Sequence, residues 1–504
     1  MNLLELPQTI PWLSLIWGSL LVAAAAITLV PAEQKRVIRA IGSGGALLSL
    51  LLTLLVYAAY QPGGARYQFV EQIAWLPQLG INYTLGVDGI SLAMLLLNGL
   101  VIFTATLMSW NVEERLQSYW LLLLLLGAGA YAVFMALDLF LLLVCYELTL
   151  LPKFLLIGGW GRTRREYGAT KLALYMMAGS TLIIIGAIAV YFGSGLRSFD
   201  MRLLSSSALF SSTFQAQWFL PLFIGFAVLA GMVPLHSWAP TGHVAAPTAA
   251  SMLLAGVMMK LGAYGCLRVA VEILPAGAMV WLLPLVVLTM IGAIYGSLAA
   301  LAQRDFKYMV AYSSIGHMAL ALMGIAAGNR IGLTGAVLQL FAHGVLTALL
   351  FAVVGRMVYD RTHTRQIAEL GGLRQVMPFA ALVFVIGGLS SMGMPGLAGF
   401  WAEFNIFIGM WDRFPLLAIL AALSIPITGG YTLWAIGRVF FGELRNPAFL
   451  QLPRLTWQEY LAGGVLAAVL IVAGVAPGFL TDPISSGVAP IADALTQAGM
   501  LAGR

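Results

Sequence analysis

Residues 221–267 read PLFIGFAVLAGMVPLHSWAPTGHVAAPTAASMLLAGVMMKLGAYGCL, and the interruption in their middle decides the fold. Residues 218–235 are apolar enough to enter a bilayer, but Pro234, His236 and Pro240 then fall within seven positions. Proline removes a backbone donor and clashes with the preceding turn, so the helix stops, and the carbonyls it frees must face protein or water rather than lipid. A second apolar helix starts near Pro247 and carries Lys260 at about mid-depth. A cation at the centre of a membrane helix costs roughly 2.5–3.5 kcal/mol on insertion scales, so Lys260 reads as functional and as facing an interior. A broken helix beside a buried lysine is the layout of an ion path.

Composition agrees. With 61% hydrophobic residues, 9% charged and a mean hydropathy of +0.94, the chain is a polytopic membrane protein. Its net charge of +6 would suggest nucleic acid in a soluble protein, but the lysines and arginines sit in short loops, where they set topology. Nucleic-acid binding is therefore excluded. Cys145 and Cys266 both fall inside apolar runs without C-x-x-C spacing, so neither a disulfide framework nor an iron–sulfur site is expected. The N-terminus has no basic n-region or small-residue cleavage site, and residues 9–30 read as a retained first span.

Apolar runs of about 18 or more residues predict an all-α integral membrane fold of about fourteen transmembrane helices. They lie near 9–30, 40–60, 87–110, 118–136, 138–157, 170–194, 218–237, 248–273, 278–301, 306–326, 331–358, 378–410, 414–441 and 459–480. With alternate loops assigned to opposite sides, one side holds seventeen Lys and Arg residues, from Lys35 to Arg454. The other has seven: Arg66, Arg197, Arg202, Arg268, Arg330, Arg413 and Arg504. This asymmetry puts both termini outside the cytoplasm. Residues 61–86, 195–217 and 442–458 read as connections, and the tail 481–504 as too short and mild to fold alone. A second broken helix lies at 386–404, IGGLSSMGMPGLAGFWAEF, interrupted by glycines and Pro395. Breaks in spans seven and twelve suggest two five-helix repeats of inverted topology, spans 4–8 and 9–13. The chain then divides into 1–117, the first three spans; 118–273, the first repeat; 274–441, the second repeat; and 442–504, the last span and tail.

The polar residues inside apolar runs are the candidate site. Glu147, nine residues inside span five, can lower its cost by pairing with a cation or by taking up a proton, and reads as protonatable; the alternative is a hydrogen-bonded structural acid. Lys260 has the complementary chemistry, helix packing around a snorkelled amine being its alternative. Glu403 follows the break in span twelve and reads as a terminal acid, or as a local cap. His317 and His343, in spans ten and eleven, lie between them in chain order and carry the side chain that exchanges protons near neutral pH. His236 is placed either to cap freed backbone or to touch the path. Asp88 and Asp138 stand at helix starts, where a carboxylate complements the dipole. His236 and His243 do not have zinc-ligand spacing, and there is no phosphate loop and no nucleophile–base pair.

These motifs are familiar together. YELTLLP around Glu147, VPLHSWAPTGHVAAPTAAS leading to LAGVMMKLGAYG, DFKYMVAYSSIGHM, FAHG, THTRQIAELGGL and GMPGLAGFWAEF form a specific set, spread from about Asp88 to Phe479. The chain resembles the antiporter-like membrane subunits of respiratory complex I, the NADH–quinone oxidoreductase, and most closely their M type. Glu403, where the L and N types usually carry lysine, the THTR segment at 362–365 and the absence of a long lateral helix select that type. The resemblance implies a proton channel of two half-channels joined by a central polar axis, in a subunit of an oxidoreductase with no redox centre of its own. Flavin and iron–sulfur clusters are expected in partner subunits. The implied partners are L- and N-type neighbours, a peripheral redox arm, a quinone bound elsewhere in the complex, and the lipid bilayer of a bacterial inner membrane or equivalent. Carried over, Glu147 is the acid that biases a partner lysine, Lys260 the central lysine, His317 and His343 the relays, and Glu403 the exit-side group.

One position departs from the family. A lysine normally stands in span seven, five residues before the P-L-H proline; here that residue is Leu229, and the nearby proline is Gly231. Lys153 is the candidate replacement. It lies six residues after Glu147, about 9 Å along a helix and roughly 120° around it, so a direct pair on one helix face is not expected, and the alternative is a lysine snorkelling to the interface after Pro152. Two rival functions remain at this level. A multisubunit cation/proton antiporter would share the fold, though Glu403 and THTR argue against it; a structural subunit that has lost transport is suggested by Leu229.

Overall fold

The computed structural model describes residues 6–7, 9–206 and 209–502; Arg504 lies outside them. Thirteen of its helices are long and apolar enough to cross a membrane. The twelfth crossing is assembled from two shorter helices, Pro378–Ser391 and Ala398–Trp411. Spans three (Gly89–Met108), eight (Thr248–Val271) and eleven (Arg330–Thr362) are enclosed along the whole of their apolar length, and span ten (Phe306–Ala326) nearly so. Spans one, two, six and thirteen show most of their surface outward. A central group of helices is thus shielded from lipid, and polar side chains on it have protein for surroundings.

Both expected breaks are present, and backbone chemistry explains where they fall. Span seven (Ser212–Ala230) ends at Gly231, which adopts φ +78 and so takes the left-handed cap that a residue with a Cβ resists. Met232 N–H then donates back to the Ala227 carbonyl at 3.0 Å. The Trp238 indole donates to the freed Val228 carbonyl at 2.8 Å, so the interruption is satisfied by protein. The stop therefore begins three residues before Pro234, whose peptide bond with Val233 is cis. Pro240 does not break anything: it sits in the first turn of the helix Trp238–Ala245, where no backbone donor is needed. In span twelve the break runs over 392–397, with Gly393 at φ +67, Pro395, and Gly396 at φ +88.

Three features depart from the sequence reading. Span five, Leu139–Trp160, carries a local irregular turn at Thr149, whose backbone stays helical at φ −74 and ψ −18. Within 61–86 the chain forms an antiparallel hairpin, Gln68–Leu76 (β1) with Ile81–Val87 (β2), turning through Gly80 at φ +68. Its Glu71 accepts from Leu13 N–H at 2.7 Å and so caps the first span. The tail is not a loose end: Gly478–Ala502 is one helix, packed on spans three, nine and eleven through Ile484, Val488, Ile491 and Leu495. The helix-start acids behave as expected. Asp88 accepts from Ile90 and Ser91 N–H, and Asp138 from Phe140 and Leu141 N–H, all at 3.0 Å.

Candidate functional site

Lys260 is completely buried, at the end of a π-helical turn, Leu254–Met258. Its ammonium donates to the Ala255 carbonyl of that turn and to His343 Nδ1 at 2.9 Å. Spans seven and eight meet closely here, because a Cβ on Gly262 would lie 2.4 Å from Ala230 N and 2.6 Å from Phe226 O. No carboxylate lies within 4.0 Å of Lys260 among the described residues; its hydrogen-bond partners are an imidazole and a carbonyl.

From His343 the run continues. The His343 and His317 rings lie 5.2 Å apart between centroids, tilted by 34°. His317 Nδ1 is 3.5 Å from Glu403 Oε1, and His317 Nε2 shares a hydrogen bond with Ser391 Oγ at 2.8 Å. Lys260, His343, His317 and Glu403 therefore form one buried file reaching from span eight to span twelve. Gln339 belongs to it: its amide N–H donates to His317 Nδ1 at 3.2 Å, while its Oε1 is buried without a partner.

Glu147 stands apart from this file. It lines an apolar groove of about 510 Å³ on the outside of the bundle with Phe140, Leu143, Leu151, Ile184 and Ile188, and its Oε1 has no hydrogen-bond partner. Glu403 lines a second apolar groove, of about 330 Å³, with Phe400, Phe404, Phe407 and Trp411. Lys153 is 2% exposed. His236 sits at the break of span seven, its Nε2 3.3 Å from the Tyr295 hydroxyl and its Nδ1 unpartnered, in contact with neither Lys260 nor the other histidines.

Two residues escaped the sequence reading. Lys307 looks like a loop cation beside Asp305, yet it is buried, its ammonium donating to the Ala246 carbonyl at 2.7 Å. It lines a polar cavity of about 350 Å³ with Arg162, Thr248, Tyr359, Asp360 and Arg365, on the side that carries most of the loop cations. Behind it is His243, fully buried, with both ring nitrogens lacking partners and its ring stacked 5.3 Å from Phe351. Only its place in a broken helix hinted at this.

A second charged cluster lies toward the other side. Arg268, counted above as a loop cation, is 2% exposed and pairs with Asp88 at 2.5 Å and with Glu272 at 3.0 Å. Glu272 also pairs with Arg66. This cluster ties the start of span three, the end of span eight and the approach to the hairpin together. Among the described residues no group of three or more His, Cys, Asp or Glu side chains is placed to hold a metal ion.

A buried file of proton-exchanging side chains, enclosed by fourteen crossings with two of them broken, defines an ion-translocating membrane subunit. The chain belongs to the NADH:quinone oxidoreductase/Mrp antiporter family of transmembrane proteins, which residues 136–428 match. It is 37% identical over 492 residues, 95% of each chain, to NADH-quinone oxidoreductase subunit M of Rhodobacter capsulatus. It is 38% identical over 444 residues to NAD(P)H-quinone oxidoreductase chain 4 1 of Synechococcus elongatus, covering 86% of this chain and 83% of that one. Among solved structures, a chain of respiratory complex I from Thermus thermophilus superposes with a TM-score of 0.88 at 29% identity, over 96% of this chain and 99% of that one. A chain of the Mrp complex from Dietzia sp. superposes with a TM-score of 0.84 at 20% identity, over 97% and 99%, a likeness of fold.

Proposed function

We propose that this chain is the M-type, proton-translocating membrane subunit of a complex I-type NADH:quinone oxidoreductase, that protons cross it along Lys260, His343, His317 and Glu403, and that Glu147 is the acid whose charge biases that route. One observation carries the reading: the buried file from Lys260 to Glu403, with contacts of 2.9 Å and 3.5 Å at its ends and two imidazoles between, their centroids 5.2 Å apart. Each step moves one proton between adjacent groups. An N–H bond breaks on the Lys260 ammonium as one forms on His343 Nδ1, and an imidazolium at His317 is held by the Glu403 carboxylate. Fields from neighbouring charges bias every step, because a charge brought beside one member of a buried set changes the proton affinity of the next.

Uptake fits the polar cavity, through Lys307 and His243 toward Lys260. The loop charges support assigning that cavity to the cytoplasmic side of a bacterial inner membrane, with both termini on the other side. The two apolar grooves suit the flanks of L- and N-type neighbours, and each holds one carboxylate through which a neighbour's charge would be felt. The breaks in spans seven and twelve support two inverted repeats, 118–273 and 274–441, between the segments 1–117 and 442–504. Electron transfer would belong to flavin and iron–sulfur clusters of partner subunits, with quinone bound elsewhere in the complex.

The test is to tag the chain, solubilise the membrane gently, and assay the recovered assembly for NADH oxidation by quinone. Recovery of flavin and iron–sulfur subunits is expected, with Lys260→Met abolishing NADH-driven acidification of membrane vesicles while the assembly persists. Recovery of small membrane partners alone, with sodium-dependent transport that needs no NADH, would refute it.

A further inference from the structure

The file has a branch at His317 that the path does not use. His317 Nδ1 faces Glu403, while Nε2 meets Ser391 Oγ at 2.8 Å. Ser391 ends the first helix of span twelve and lines a small cavity with Ser313 of span ten and with Tyr431 and Thr432 of span thirteen, Pro415–Phe440. The Tyr431 hydroxyl donates to Ser313 Oγ at 2.7 Å. All four of these residues are at most 4% exposed. The cavity offers about 10 Å³ to the centre of a water molecule. A buried water needs roughly 10–15 Å³ on that measure and two to four polar partners, and the wall carries four hydroxyls. Span thirteen shows most of its surface outward, yet its buried face carries Ser424, Thr428, Tyr431 and Thr432, spaced by about one turn.

Toward the side that carries the loop cations, the branch meets an apolar wall. Phe384 lines the cavity, and its ring packs against those of Phe306 and Phe440, 5.0 Å from each. Phe306 and Phe440 are 6.3 Å apart, so rings from spans ten, twelve and thirteen all touch one another in a single layer. All three are buried. The layer is nevertheless thin: Asp305, before Phe306, is partly exposed, and Phe441, after Phe440, is exposed.

We propose that this cavity holds one water and that the branch is a slip route off the file, held shut by the phenylalanine layer. As an imidazolium, His317 carries a proton on each ring nitrogen. It gives up the one on Nδ1 toward Glu403, or the one on Nε2 toward Ser391. In the second case an N–H bond breaks at Nε2 as an O–H bond forms on Ser391 Oγ, and the proton that Ser391 held before passes to the water. With the layer closed, that proton has no onward partner and returns. With the layer wetted, it leaves on the side from which it was taken up, and a turnover passes without net transport. Three apolar rings prevent this, because a constriction that excludes water interrupts the hydrogen-bonded chain along which a proton moves. The inference rests on the proton path proposed above.

The test uses the intact complex in native membrane vesicles. Its readouts are recovery of redox subunits with the tagged chain, NADH oxidation, quenching of a ΔpH-sensitive dye, and the rate at which ΔpH decays once NADH is exhausted. Phe384→Ser puts a hydroxyl into the layer; it should assemble, oxidise NADH, and let ΔpH decay at least threefold faster than wild type. Phe384→Leu, which keeps the layer apolar, should decay at the wild-type rate, as should Leu382→Ser, at a position 56% exposed on the same helix. Adding Ser391→Ala to Phe384→Ser cuts the branch at His317 and should remove at least half of the added decay, which loosened packing alone would not allow. A wild-type decay rate in Phe384→Ser overturns the proposal, as does added decay that Ser391→Ala leaves unchanged, or equal decay in Leu382→Ser. Should Phe384→Ser fail to assemble, Phe440→Ser is read in the same way. A map of the complex that resolves bound water should place one within hydrogen-bond reach of Ser391 and Tyr431, and a cavity closed by side chains instead overturns the water site. Lys260→Met, run in parallel, separates the two levels. Loss of NADH-driven quenching there, with wild-type decay in Phe384→Ser, removes only this proposal, whereas wild-type quenching in Lys260→Met removes the path itself.

Discussion

Replacing Glu403 by glutamine tests the far end of the buried file with little change in shape. Glu403 Oε1 lies 3.5 Å from His317 Nδ1, and the side chain is 6% exposed. Two unit charges at that separation attract by about 5 kcal/mol at an effective dielectric constant of about 20. Glutamine can return about 1 kcal/mol of this as a neutral hydrogen bond. The imidazolium–carboxylate state thus loses about 4 kcal/mol, and at 1.4 kcal/mol per decade a transfer passing through it slows by about three orders of magnitude. The assay is dye quenching in vesicles energised by NADH, with NADH oxidation recorded on the same sample. Glu403→Gln should abolish measurable quenching in complexes that still assemble, and Glu403→Asp, which keeps the charge on a shorter stem, should retain part of it. Quenching by Glu403→Gln within twofold of wild type would refute both the coupling and the placement of His317 on the path.

Two further perturbations probe the frame around the file. Arg268→Met leaves Asp88 buried without its cation and Glu272 with Arg66 alone, and removing one partner of such a set typically costs about 3–5 kcal/mol; the yield of assembled complex should fall sharply, and Asp88→Asn/Arg268→Met should recover part of it, whereas wild-type yield in the single variant would contradict the assignment. Glu113, exposed between Lys35 and Arg39 at 2.5 Å from each, has its carboxyl held below the usual range by hydrogen bonds to these cations. Its contribution is therefore present above the ordinary glutamate value of about 4.3 and is lost as pH falls through the lowered one. Proteolysis of the 109–115 loop should increase only in acid, and Glu113→Gln should raise it at neutral pH; equal cleavage of both proteins at neutral pH would exclude that tie.

What could be read from the sequence follows the cost of placing each residue in lipid. A charge in an apolar run is expensive enough to mean something, so Lys260, Glu147 and Glu403 stood out, and the two histidines followed as groups that could lie between them. The structure brings four of these five into one file and leaves Glu147 at a groove. Neutral partners give no such signal. Gln339 contacts His317 from one side and Ser391 from the other, but an amide or a hydroxyl in a helix is unremarkable in sequence. Lys307 and Arg268 lie where the apolar runs end, so they were counted with the loops, although the fold folds both inward.

Position 229 shows what the close approach of spans seven and eight demands. Leu229 is fully buried, and a Cβ on Gly262 would lie 2.4 Å from Ala230 N and 2.6 Å from Phe226 O, so the two backbones leave little room between them. Leu229→Lys would bring an ammonium into that contact, and the desolvation of an unpaired charge would oppose assembly. Its complex should be recovered in lower yield than wild type, whereas Leu229→Met, which keeps the contact apolar, should assemble normally. Wild-type yield in Leu229→Lys would refute this account of the contact.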